Sequence, residues 1–143
     1  GFKPPPIKIA LGRAMNQVWP AFIQPSGLDV QALSRDPAVV SRYEQDPLVH
    51  DRVSARLFVG FYEAGLWALE HAAEFPVPLL LMHGSDDTLT SPEASRAFAA
   101  SVGERCTLKV WDGLYHEIHN EPEQEQVFDQ IIAWLRQTLG NAS

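Results

Sequence analysis

Val77-Pro78-Leu79-Leu80-Leu81-Met82 is an unbroken apolar run that stops at His83-Gly84-Ser85-Asp86-Asp87. A run this short and without polar alternation suits a parallel strand buried on both faces. Pro78 is tolerated only near such a strand's entrance. Ser91-Pro92-Glu93 then supplies a capping hydroxyl, a proline at the first helical position and an acid in the first turn. A helix is therefore expected to about Val102, stopped by Gly103. Thr107 to Trp111 reads as a second strand. Glu121-Pro122 opens a last helix in which Val127, Phe128, Ile131, Ile132 and Leu135 are expected to face inward, with Gly140 closing it. Strand, helix, strand and helix in this order make the two strands parallel. Two parallel strands do not make a stable sheet, so this half of the chain calls for further strands beside it.

Upstream the grammar is helical. Pro4-Pro5-Pro6 predicts an extended entry over residues 1–8, followed by a helix from about Ile9 to Trp19. Pro20, Pro25, Ser26 and Gly27 interrupt it, and Asp29 to Ser34 suits a helical turn. Asp36-Pro37 starts a helix over Ala38 to Glu44, and Asp46-Pro47 leads into Leu48-Val49-His50, where His50 beside Asp51 reads as a helix entry. The longest periodic segment runs from about Asp51 to Glu74. Its stripe of Phe58, Phe61, Tyr62, Leu66 and Trp67 lies beside a second stripe of Leu57, Ala64 and Ala68. So wide an apolar surface needs two neighbours, the core on one side and a greasy substrate on the other. Tyr62 and Trp67 read as core before substrate contacts.

Bulk properties narrow the class. A chain of 143 residues with 45% hydrophobic and 20% charged content suits an ordinary globular domain. A net charge of −7 argues against a nucleic-acid partner, which requires a basic face. Cys106 is the only cysteine, which fits a reducing, cytoplasmic setting. No apolar run approaches the roughly 18 residues of a transmembrane helix. The opening Gly1-Phe2-Lys3 lacks an initiating Met and a signal-peptide layout, and is expected to lie inside a longer protein.

Chemistry is expected where the two parallel strands end, because open α/β sheets bind ligands outside the carboxyl ends of their strands. Asp87 lies five residues past Met82, and His116 five past Trp111. A carboxylate there can hold the Nδ1 proton of an imidazole and stabilise the imidazolium during proton transfer. Gly84 and Gly113 supply the backbone freedom to turn both side chains inward. The competing readings are plain: Asp86 and Asp87 as turn and capping residues, and His116 as a satisfied, half-buried histidine. His119 reads as structural or solvated. His116, His119 and Glu121 have ligand-like spacing, but too few further ligands gather for a metal site.

His83-Gly84-Ser85-Asp86-Asp87-Thr88-Leu89, followed by Trp111-Asp112-Gly113-Leu114-Tyr115-His116-Glu117-Ile118-His119-Asn120-Glu121, resembles the monoacylglycerol lipase/lysophospholipase branch of the α/β-hydrolases. Pro25-Ser26-Gly27-Leu28-Asp29, Leu33-Ser34-Arg35-Asp36-Pro37 and Asp46-Pro47-Leu48-Val49-His50 resemble the lid of bacterial members. The resemblance implies an α/β class chain with a partial α/β-hydrolase fold. Residues 1–75 would be the helical cap, and residues 76–143 the last two parallel strands of the core with their helices. Asp87 would be the triad acid and His116 the general base, with Leu89 and Leu114 flanking the pocket. The activity implied is cleavage of lipidic carboxylic esters by a serine nucleophile, without a cofactor. That nucleophile belongs on a G-x-S-x-G elbow, and the sequence contains none. It is expected on an N-terminal half outside this chain. Two other readings stand beside this one: a dehalogenase or epoxide hydrolase with an upstream Asp nucleophile, and a non-catalytic binding module.

Overall fold

The computed structural model describes residues 4–140. Helix α1 spans Pro6–Val18 and begins earlier than its prolines suggested. Pro6 occupies the first helical position, where a missing N–H costs nothing because that donor has no intrahelical partner. Strand β1 (Ile23–Pro25) follows, then a 3-10 turn (Val30–Ala32) whose capping Asp29 accepts from the Gln31 amide. Helix α2 (Pro37–Gln45) is capped by Asp36 through the Ala38 amide. Strand β2 (Arg52–Ser54) pairs antiparallel with β1, Gln24 opposite Val53. Helix α3 (Ala55–Glu70) comes next, with Ser54 capping the Leu57 amide.

The expected long helix from Asp51 is thus corrected at its entry. Residues 52–54 are a strand, because Ile23–Pro25 offers them a ladder and Ser54 starts the helix only afterwards. His50 accordingly leads into a strand, its Nδ1 accepting from the Arg52 amide. Helix α1 packs along α3, and α4 also contacts α3. Much of α3 nevertheless faces outward. Leu57, Phe61 and Trp67 are exposed, Trp67 stacking on His71 at 4.3 Å, so Trp67 is not a core residue.

The second half is the expected alternation. Strand β3 (Leu79–Gly84), helix α4 (Pro92–Val102), strand β4 (Cys106–Trp111) and helix α5 (Gln124–Gly140) succeed one another, and β3 and β4 run parallel from Leu79 opposite Cys106 to Gly84 opposite Trp111. Under the strand ends Leu114, Ile118 and Val127 form a buried cluster with Met82, Trp111 and Ile131 against it. Only part of the α5 stripe is inward. Val127 is fully buried, whereas Phe128, Ile132 and Leu135 are each more than 40% exposed. Strand β3 is half-buried along most of its length, because the sheet has two strands and its faces are only partly covered.

The accessible surface of 9731 Å² stands against about 7,400 Å² expected for a folded chain of this mass. The uncovered apolar side chains of α5, Phe128, Ile132 and Leu135, contribute to this surface. Val127→Ala is therefore expected to lower the stability of the chain by about 2 kcal/mol. Ile132→Ala should cost less than about 1 kcal/mol, since much of that side chain already meets water. Urea midpoints of the two variants compare the effects directly.

Candidate active site

The register of β3 and β4 ends both strands level, and their outgoing turns are laced together. The Ser85 amide donates to the Trp111 carbonyl at 2.8 Å, and the Gly113 amide to the Ser85 hydroxyl at 2.8 Å. The Asp86 amide donates to the Leu114 carbonyl at 3.0 Å. Gly113 has a φ of 71°, a left-handed conformation suited to glycine. Gly84 serves differently: a Cβ on it would stand 2.2 Å from the Leu114 carbonyl oxygen and 2.3 Å from that of Tyr115. The loop carrying His116 thus lies directly across residue 84.

Asp87 and His116 meet at this edge. The His116 Nδ1 lies 2.9 Å from Asp87 Oδ2. Asp87 is 4% exposed, and its own turn supplies most of its donors. Its Oδ1 accepts the amides of Leu89 at 2.7 Å and Thr90 at 2.9 Å, and the Thr90 hydroxyl donates to Oδ2 at 2.6 Å. Burial pushes this carboxyl up, but the Thr90 hydroxyl, the His116 imidazole and the Thr90 amide outweigh burial and bring it down to about 2. The acid is therefore ionised at neutral pH, and it fixes the imidazole with Nδ1 toward itself. The His116 side chain is 35% exposed, and its Nε2 has no partner among the described residues. That nitrogen is free to take a proton.

Asp86 is exposed, with its carboxylate accepting from the Ser85 hydroxyl, so the two adjacent acids have separate positions. Leu89 sits beside the acid through its amide, while the Leu114 side chain packs in the buried cluster beneath the loop. His119 is exposed at the far end of the loop. Glu121, from the ligand-like spacing, is turned instead onto Arg35 and the Tyr115 amide.

Several residues of the site escaped the sequence reading. His83 places Nε2 2.9 Å from Asp87 Oδ2 while its Nδ1 lies 2.7 Å from the Ser95 hydroxyl on α4. The four-residue spacing from His83 to Asp87 and the Thr three residues past the acid were the available local signals. Arg35 and Glu121, 86 positions apart, carried no local signal of their contact.

A parallel β3–α4–β4–α5 unit with an acid and a histidine on adjacent strand-end turns fits a partial α/β-hydrolase fold, and solved structures share that fold. The chain superposes on the crystal structure of the Paleococcus ferrophilus monoacylglycerol lipase with a TM-score of 0.89 at 34% identity, covering 95% of this chain and 54% of that one. The chain belongs to the α/β-hydrolase family described as serine aminopeptidase, S33, which matches residues 1–123. It is 37% identical over 132 residues to the monoacylglycerol lipase of Mycolicibacterium smegmatis, covering 91% of this chain and 47% of that protein. It is also 32% identical over 133 residues to phospholipase YtpA of Bacillus subtilis, covering 89% and 50% respectively. The chain thus spans about half the length of these relatives. No helix among the described residues is long and apolar enough to cross a membrane.

Two outcomes follow from the site. Asp87 titrates lower in the folded chain than its ordinary 3.8, so the stability it contributes is present above pH 4 and is lost as pH falls toward about 2. Thr90→Val removes the hydroxyl donor, and the acid unfolding midpoint should move to higher pH. Gly84→Ala should displace the His116 loop, seen as shifted amide resonances from Leu114 to Glu117 in a chain that keeps its helical circular dichroism.

Proposed function

We propose that this chain supplies the cap, the acid and the base of a serine hydrolase that cleaves carboxylic esters of lipidic substrates, of the monoacylglycerol or lysophospholipid type. Residues 1–75 form the cap and residues 76–143 the C-terminal part of the core. The observation that carries this reading is the Asp87–His116 contact, with Nδ1 on the acid and Nε2 free at the strand ends. His116 takes the proton of an attacking serine hydroxyl at Nε2, and Asp87 stabilises the imidazolium that results. The proton then passes to the leaving alcohol, and a second cycle with water releases the fatty acid. The serine and its oxyanion donors belong to the portion of the relatives' length that this chain does not span. Leu89, beside the acid, borders the acyl site, with Leu114 as the packed floor beneath it.

The names of the relatives support a lipidic ester, whereas the family description is that of a peptidase. The two differ in leaving group and not in the acid–base pair. The exposed apolar side chains of α3 (Leu57, Phe61 and Trp67) favour a fatty acyl substrate.

In the intact protein, monoacylglycerol should be hydrolysed in preference to an aminoacyl anilide, and a fluorophosphonate should label one serine outside residues 1–143. His116→Ala is expected to lower kcat at least about 1,000-fold without unfolding the protein. Turnover retained in that variant, or labelling of a serine within this chain, would sink the proposal.

A further inference from the structure

We infer that Glu121, locked to Arg35, is a positioning residue for His116, and that through it the cap segment 32–36 belongs to the catalytic apparatus. This rests on the function proposed above. The Glu121 side chain is fully buried, and its donors come from two distant parts of the chain. The Tyr115 amide, immediately before the base, donates to Oε1 at 2.8 Å. From the cap, the Arg35 Nε donates to Oε2 at 2.8 Å, and the Arg35 amide reaches both oxygens at 3.3 and 3.4 Å. Arg35 also reaches Glu123 through its other guanidinium nitrogen.

Backbone contacts run alongside. The Glu117 amide donates to the Leu33 carbonyl at 2.8 Å, the His116 amide to Ala32 at 3.4 Å, and the Ser34 hydroxyl to the Asn120 carbonyl at 2.9 Å. His116 is therefore held by Asp87 at its ring and by the cap segment through its own backbone and Glu121, while the carbonyls of Leu114 and Tyr115 just before it lie against Gly84. A carboxylate removed from water is costly unless its oxygens are filled, and every donor filling this one belongs to a segment that must stay in place for His116 to meet Asp87. Displacement of residues 32–36 thus moves the base.

The test uses the intact protein, a short water-soluble ester and the proton resonance of the His116 Nδ1–H. Glu121→Ala is expected to lower kcat about 100-fold, the cost of a misplacement on the order of 1 Å, with KM changed less than about threefold. The Nδ1 proton resonance should broaden or disappear. Glu121→Gln keeps an oxygen for the Tyr115 amide, and should restore the resonance and most of the lost kcat. Arg35→Met loosens only the cap side and should give an intermediate loss. If Glu121→Ala does not fold, Arg35→Met decides: a lowered melting temperature with unchanged kcat and unchanged resonance in that variant would reduce Glu121 to a structural ion pair and overturn the inference. An intact protein that hydrolyses no ester would overturn the proposed function, while the resonance in the same variants still decides the role of Glu121.

Discussion

The crossing of the His116 loop over Gly84 is the contact on which the site depends. The parallel ladder sets Gly84 opposite Trp111, so both chains leave the sheet at the same height. The loop after Trp111 then turns back at Gly113 and lays the carbonyls of Leu114 and Tyr115 where any side chain on residue 84 would stand. No flexible group fills that space, so the approach is set by backbone against backbone. Packed this closely, the loop has little freedom in the direction of Asp87, and the 2.9 Å contact follows from the path of the chain.

Two buried carboxylates stand on either side of this crossing, and each is made tolerable in a different way. Asp87 is satisfied mostly locally, by two amides and a hydroxyl within its own turn, and also by the imidazole. Glu121 is satisfied partly from afar, by Arg35, and partly within its own loop, by the amide of Tyr115. Burial would lower the Arg35 guanidinium, but the hydrogen bond and charge of Glu121, with Glu123 behind them, raise it. Such a pair adds little net stability, because desolvation offsets attraction, yet breaking it is expensive. Its value is geometric.

The difference between local and distant contacts also explains what was legible in the sequence. The strand, capped helix and strand of the second half were readable because apolar runs, Ser91-Pro92 and Gly103 are local signals, and the fold places them within a few residues of expectation. Local position placed Asp87 and His116 in the turns past the two strands, but the choice of Asp87 over Asp86 and of His116 over His119 came from the family resemblance. The antiparallel pairing of Ile23–Pro25 with Arg52–Ser54 was not readable, because neither segment carries a strand signature and the two lie far apart in the sequence. The outward side of α5 was misread because a helical stripe declares that a face is apolar, not that a neighbour covers it. Arg35 and Glu121 form an ion pair only once the chain has folded back over 86 positions.

The polar and apolar parts of this chain are finished to different degrees. Every oxygen of Asp87 and Glu121 has its donors within residues 4–140, whereas Phe128, Ile132, Leu57 and Phe61 leave apolar area open to water. Apolar area can be covered by any surface of fitting shape, but a buried charge must find donors at fixed distances. The contact between Asp87 and His116 is therefore made within the described residues. On the proposed function this separation has a catalytic consequence. A base already held by Asp87 needs little reorganisation when a nucleophile is brought to its Nε2, and preorganised groups help to stabilise the charge that develops in the transition state.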